Sequence, residues 1–230
     1  NPTIEHPSLG AWISKKFGPT ASGLPAFMSL GGPSVGAGFF GAQHGPFVIQ
    51  KAGVAPDNVV AAVSAPRLER RLTLLNDLER GFGAKLGGRV VEERQAVYRG
   101  ARQFMMSPDL SAFDLTQSKD AAGPYGDTDF GRACFTALNL VRAGVRLVEV
   151  TLDGWDTHED NFGRVNKQLA ILDPAMSALL SGLISTPDTH GRPLIESTMV
   201  LWMGDFGRKP RINGREGRDH YPQAWSAVLA

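Results

Sequence analysis

Helix, strand, helix and strand follow one another between residues 131 and 203, and this order predicts an α/β protein built on a parallel sheet. Three runs carry the prediction. Residues 145–151 are β-branched, alternate in polarity and are too short for a helix, so they read as a strand. From Asn161 onward, Phe162, Val165, Leu169, Leu172, Met176, Leu179 and Leu183 recur at steps of three and four, which marks a long amphipathic helix. Residues 198–203 then form a second apolar run of strand length. Both strand runs are apolar on either side of the chain, as expected where helices cover both faces of a parallel sheet.

The remaining elements follow in order. Residues 8–17 read as a short helix and residues 26–30 as a strand, followed by a glycine-rich loop over 31–45. Pro66 suits the first turn of a helix after Ser64, and Leu68, Leu72, Leu75 and Leu78 keep helical spacing until Gly81, Phe82 and Gly83 stop the run. A second helix covers 90–106, with Val90, Val97, Ala101 and Phe104 on one side, and ends before Ser107 and Pro108. The two predict a helical hairpin inserted at 60–110 within a single domain. Beyond a polar loop at 118–129, residues 131–142 place Cys134, Leu138 and Val141 on one helical face, with Gly144 as the C-terminal cap. Cys134 is then a small buried apolar residue, and Pro174 removes one donor from the long helix and should kink it.

Composition narrows the function. A chain of 230 residues can bury roughly 70–75% of its unfolded surface, so a sizeable core is available. The 24 Lys and Arg balance 23 Asp and Glu, which argues against a basic nucleic-acid binder. One cysteine excludes an internal disulfide and a zinc finger. No apolar run reaches the roughly 18–20 residues of a transmembrane segment, and the amino terminus lacks the basic start and apolar stretch of a signal peptide. The start without Met and the apolar end at 225–230 predict a fragment.

In open α/β sheets, ligands bind outside the carboxyl ends of the strands, and both late strands deliver acidic residues there. The first is followed by Asp153, Asp156 and His158, the second by Asp205 and, further on, Asp219 and His220. Carboxylate oxygen and imidazole nitrogen are both zinc ligands, and His158 and His220 each follow an Asp within two residues in loops expected at the same sheet edge. Asp156, His158, Asp205, Asp219 and His220 are the candidate metal ligands. Residues 156–158 also suit a helix-capping cluster ahead of Asn161. Arg208, Lys209, Arg211, Arg215 and Arg218 outnumber Asp205, Glu216 and Asp219, an excess of +2 that suits a phosphate or sulfate ester, with Arg208 and Arg218 as its candidate holders. A solvated loop is the alternative for this run. Residues 32–36 match the G-x-S-x-G nucleophile elbow, so that a serine α/β-hydrolase with Ser34 as nucleophile is an alternative, but residues 35–41 are poor helix formers where that motif needs a helix.

The runs AFDL at 112–115, FGRACF at 130–135, LVRAGVRLVEV at 140–150, GWDTHEDNF at 154–162, STMVLWMGDFGRKP at 197–210 and GRDHYP at 217–222 resemble the domain-of-unknown-function 1501 family. YG at 125–126 and HPSLGAWIS at 6–14 extend the resemblance over nearly the whole chain. It implies a bacterial protein, of a kind abundant in planctomycetes, in the alkaline phosphatase and sulfatase superfamily. The implied fold is a three-layer α/β/α sandwich with a mostly parallel sheet, incomplete here. The implied activity is metal-dependent hydrolysis of anionic esters, phosphate or sulfate, on a small molecule or polysaccharide, with zinc, calcium, magnesium or manganese as cofactor. The resemblance further implies export to the periplasm, and a nucleophile upstream of Asn1, so that the chain by itself lacks activity. Where superfamily hydrolases show Asp-His after the last core strand, this chain has Asp205 and Phe206, a departure that suits a non-catalytic extracytoplasmic binding protein keeping the same fold.

Overall fold

The computed structural model describes residues 4–86, 88–116 and 118–230. Three short strands, β1 (Phe27–Leu30), β2 (Phe47–Ile49) and β3 (Leu147–Val150), form an entirely parallel sheet in the order β2-β1-β3. β1 is central and all four of its residues are buried. Its side chains alternate between two faces. Phe27 lies against α1 (Leu9–Phe17), whose Gly10 is obligatory: a Cβ there would sit 2.4 Å from the Phe27 ring. Met28 and Leu30 point the other way, into a core shared with Ala133, Ala137 and Leu140 of α5 (Asp129–Arg142). Helices thus cover both faces of β1.

Between β2 and β3 the chain makes α2 (Ala65–Leu86), α3 (Gly88–Met105) and the single turn α4 (Lys119–Ala122), the last inside the segment expected to be a loop. α2 and α3 form the expected hairpin, with antiparallel register fixed by Glu69 to Arg102 at 2.6 Å and Glu79 to Arg94 at 3.2 Å. α2 does not stop at Gly81–Gly83. Each glycine costs about 1 kcal/mol in a helix, but a Cβ at Gly83 would meet Val91 of α3 at 3.3 Å, so the missing side chain lets the two helices close together.

α5 ends in a Schellman motif, with Gly144 at φ 85° donating to Val141 and Val145 donating to Leu140. Its outer side, with buried Cys134 and Leu138, packs against Ala175 and Leu183 of α6 (Asn161–Ser185). α6 continues past Pro174 in one piece. Among the described residues it is the one helix long and apolar enough to cross a bilayer, and its Leu172, Ala175 and Leu183 are buried in this fold.

The second expected parallel strand takes another course. β4 (Leu201–Met203) is half the length of the apolar run and pairs antiparallel with β7 (Ala227–Leu229), and all six residues are exposed. Apolar composition specifies a strand but not its partner, and the nearer segment in sequence closes the smaller loop. Between them, β5 (Gly207–Arg208) and β6 (His220–Tyr221) form a second antiparallel pair.

Candidate metal centre

The loop leaving the carboxyl end of β3 carries Asp156, Thr157 and His158, of which only the middle residue is buried. Thr157 turns inward, is buried, and donates to Asn161 Oδ1 at 2.7 Å. Asp156 and His158 turn outward together. Asp160, in the left-handed region at φ 43°, caps α6 by accepting the amide of Gly163.

A second loop is laid along the first. The amides of Asp160 and Asn161 donate to the carbonyls of Arg215 and Glu216 at 3.1 and 2.9 Å, and the amide of Arg218 donates to Thr157 at 2.9 Å. Gly217 makes this contact possible, because a Cβ there would lie 1.9 Å from the carbonyl carbon and oxygen of His158. Asn213 shapes the loop: its Oδ1 accepts the amides of Arg215 and Gly217 at 2.9 and 3.0 Å, and its Nδ2 donates to the His158 carbonyl at 3.0 Å. The β5–β6 pair then sets Arg208 opposite His220.

These ties bring Asp156, His158 and His220 together. Asp156 Oδ1 lies 3.0 Å from His158 Nε2 and 3.1 Å from His220 Nε2, and the two Nε2 atoms are 3.1 Å apart. Bonds of roughly 2.0–2.2 Å to one ion place neighbouring donors about 2.8–3.6 Å apart, from octahedral to tetrahedral angles, so this triangle can cap a divalent metal. Among the described residues, these three form the group that could hold one.

The protonation pattern points the same way. His158 Nδ1 faces Asp219 Oδ1 at 3.3 Å, and a carboxylate can only accept there. A neutral His158 therefore keeps its proton on Nδ1 and aims the Nε2 lone pair at Asp156 Oδ1, another acceptor. Two acceptors at 3.0 Å suit a cation between them. Asn213 Nδ2 donates to the same Asp219 oxygen at 3.0 Å and, with His158, holds that carboxyl below its usual range. The Asp156 carboxyl is lowered to about 2, first by its hydrogen bond with His220 and next by that with Arg208.

Asp219 thus stands behind His158 and orients it, whereas Asp205 stays outside the cluster, its Oδ1 accepting the amide of Phe206 at 2.7 Å. The Phe206 ring packs on His220 with centroids 4.6 Å apart. Arg208 reaches Asp156 Oδ1 at 2.5 Å. Arg218 does not face the cluster: its guanidinium donates to the carbonyls of Lys209 and Arg208 at 2.6 and 3.2 Å, bracing the loop. Ser34 donates to Glu149 Oε2 at 2.7 Å, and a loop with short 3-10 turns follows it in place of the helix a nucleophile elbow requires. Asn213, absent from the sequence-based set, was marked only by the Asn-Gly turn dipeptide it forms with Gly214.

Compared with known proteins, residues 1–230 match the family described as "Protein of unknown function (DUF1501)", and the chain belongs to that family. No curated protein and no solved structure matches it.

Proposed function

For this member of the DUF1501 family we propose metal-dependent hydrolysis of anionic esters, phosphate or sulfate, on the α/β/α scaffold of the alkaline phosphatase and sulfatase superfamily. One observation carries the reading: Asp156 Oδ1 and two imidazole nitrogens converge within 3.1 Å, while Asp219 Oδ1 lies 3.3 Å from the far nitrogen of His158. Three protein ligands with an open side are the donor set of a catalytic rather than a structural zinc site. Two imidazoles favour zinc or manganese over calcium and magnesium, which prefer oxygen ligands.

A bound metal would act as a Lewis acid on the ester oxygen. The chain's own residues do the rest. His158 and His220 hold the position, Asp219 and Asn213 keep His158 in one tautomer, and Arg208 supplies a guanidinium for a second oxygen of the same anion. In this reading the nucleophile lies upstream of Asn1 and the protein is exported, both by family resemblance.

The test is hydrolysis of 4-nitrophenyl phosphate and 4-nitrophenyl sulfate by a protein carrying this chain together with its upstream segment. Turnover should require zinc or manganese and fall by about 10²-fold or more in His158→Ala and Arg208→Ala, as when an electrostatic contact to the transition state is removed. Metal binding without turnover of either ester would favour the non-catalytic reading, which the Asp205-Phe206 departure supports.

A further inference from the structure

Asp156 Oδ1 is shared. Besides the two imidazole nitrogens it meets Arg208, whose terminal nitrogen lies 2.5 Å away and whose side chain is only 16% exposed. Among the described residues the Arg208 guanidinium makes one other hydrogen bond, a weaker one of 3.3 Å from its second terminal nitrogen to the carbonyl of Arg218. A guanidinium therefore already neutralises the oxygen that a metal would need. Metal and Arg208 side by side on one carboxylate oxygen repel each other, and neither nearby carboxylate comes between them: Asp219 is turned to the far side of His158, and Asp205 accepts its neighbouring amide. An oxyanion placed between metal and guanidinium would remove that repulsion by contacting both.

Resting on the metal reading above, we propose that Arg208 couples metal binding to anion binding: it is the resident counter-cation of Asp156, opposes metal on its own, and turns to the anion when metal and oxyanion bind together. The coupling is reciprocal by thermodynamic necessity, so the anion tightens the metal by the same factor as the metal tightens the anion. The device keeps the centre weakly loaded until a tetrahedral anion such as phosphate or sulfate arrives.

Cobalt(II), followed by its visible absorption, and sodium sulfate provide the test. In the wild-type chain, saturating sulfate should tighten cobalt binding about tenfold, within the usual range of such couplings. Arg208→Gln should bind cobalt about tenfold more tightly than wild type without sulfate, and sulfate should then add nothing. Equal cobalt affinity with and without sulfate in the wild type overturns the coupling and leaves the metal reading standing, and this arm needs no variant to fold. Cobalt binding that survives intact in His220→Ala overturns the metal reading itself.

Discussion

β3 and β4 each lead into half of the metal cluster, and they are held in opposite ways. β3 hydrogen-bonds along four residues to β1 and lies over α5, where Leu140 is fully buried. It delivers Asp156 and His158 from a packed edge. β4 is an exposed three-residue strand paired to another exposed strand. Arg208 and His220 take their places from hydrogen bonds to the first loop: Arg218 to Thr157, Asp160 to Arg215, Asn161 to Glu216. Apolar burial therefore positions one half of the site, and polar backbone ties hang the other half on it. Damage to the core should remove both halves, whereas damage to the ties should unhook the second and leave the core standing.

The largest effect comes from the core. Leu140→Ala should cost about 2–5 kcal/mol in chemical denaturation, the range for a buried leucine truncated to alanine. The same experiment has a second readout. Burial pushes the Cys134 thiol up to about 12, so at pH 8 it stays protonated and inert in the folded chain, and thiol labelling reports opening of the α5–α6 interface. Labelling should be faster in Leu140→Ala, and unchanged labelling would mean that the two faces of α5 open independently.

Next comes the seam between the loops. In Gly217→Ala the added Cβ meets the His158 backbone at 1.9 Å, and backbone cannot swing aside as a side chain does. Metal affinity should fall by about 100-fold, the upper end for changes outside the ligands themselves. Cys134 labelling should stay at the wild-type rate. Loss of metal together with rapid labelling would show that seam and core are one cooperative unit.

Asn213→Ala is a smaller cut in the same seam. It removes both donors to Asp219 and the His158 carbonyl, and metal affinity should drop by about tenfold. Asn213→Asp tests the mechanism, since it keeps the turn-forming acceptor but loses the Nδ2 donors. If the turn alone matters, Asn213→Asp should bind metal as wild type does.

The smallest effect belongs to the β4–β7 ribbon. Leu229, 65% exposed, should tolerate replacement by Ser within about 0.5 kcal/mol, with metal affinity unchanged. A large loss in either would mean that the ribbon helps to position Arg208 after all.

What could be read in the sequence divides along the same line. The α5–β3–α6 order was legible because burial imprints a period, 3.6 for the helices and 2 for the strand, on residues such as Leu138, Val148 and Leu172. Asp156 and His158 followed from their place just beyond β3. Pairing is another matter. The run at 198–203 has strand composition, but no pattern in it says that its partner is Ala227–Leu229 rather than the parallel sheet. β2 is three residues long, too short to show any period. Asp219 and His220 were identifiable as candidates, yet their division into an orienting residue and a ligand depends on which imidazole nitrogen faces which carboxylate, a matter of loop geometry 61 residues apart in sequence. Gly217 acts through backbone approach and Asn213 through side-chain bonds across two loops, neither of which residue type alone announces.

The central claim is that Asp156, His158 and His220 hold one divalent metal. Its most direct measurement is metal content by elemental mass spectrometry after equilibration with zinc and removal of the free ion, on the wild-type chain and on His158→Ala and His220→Ala. One zinc per chain in the wild type, with near-complete loss in both variants, is the predicted result. Wild-type chain without metal, or variants that retain it in full, would contradict the account.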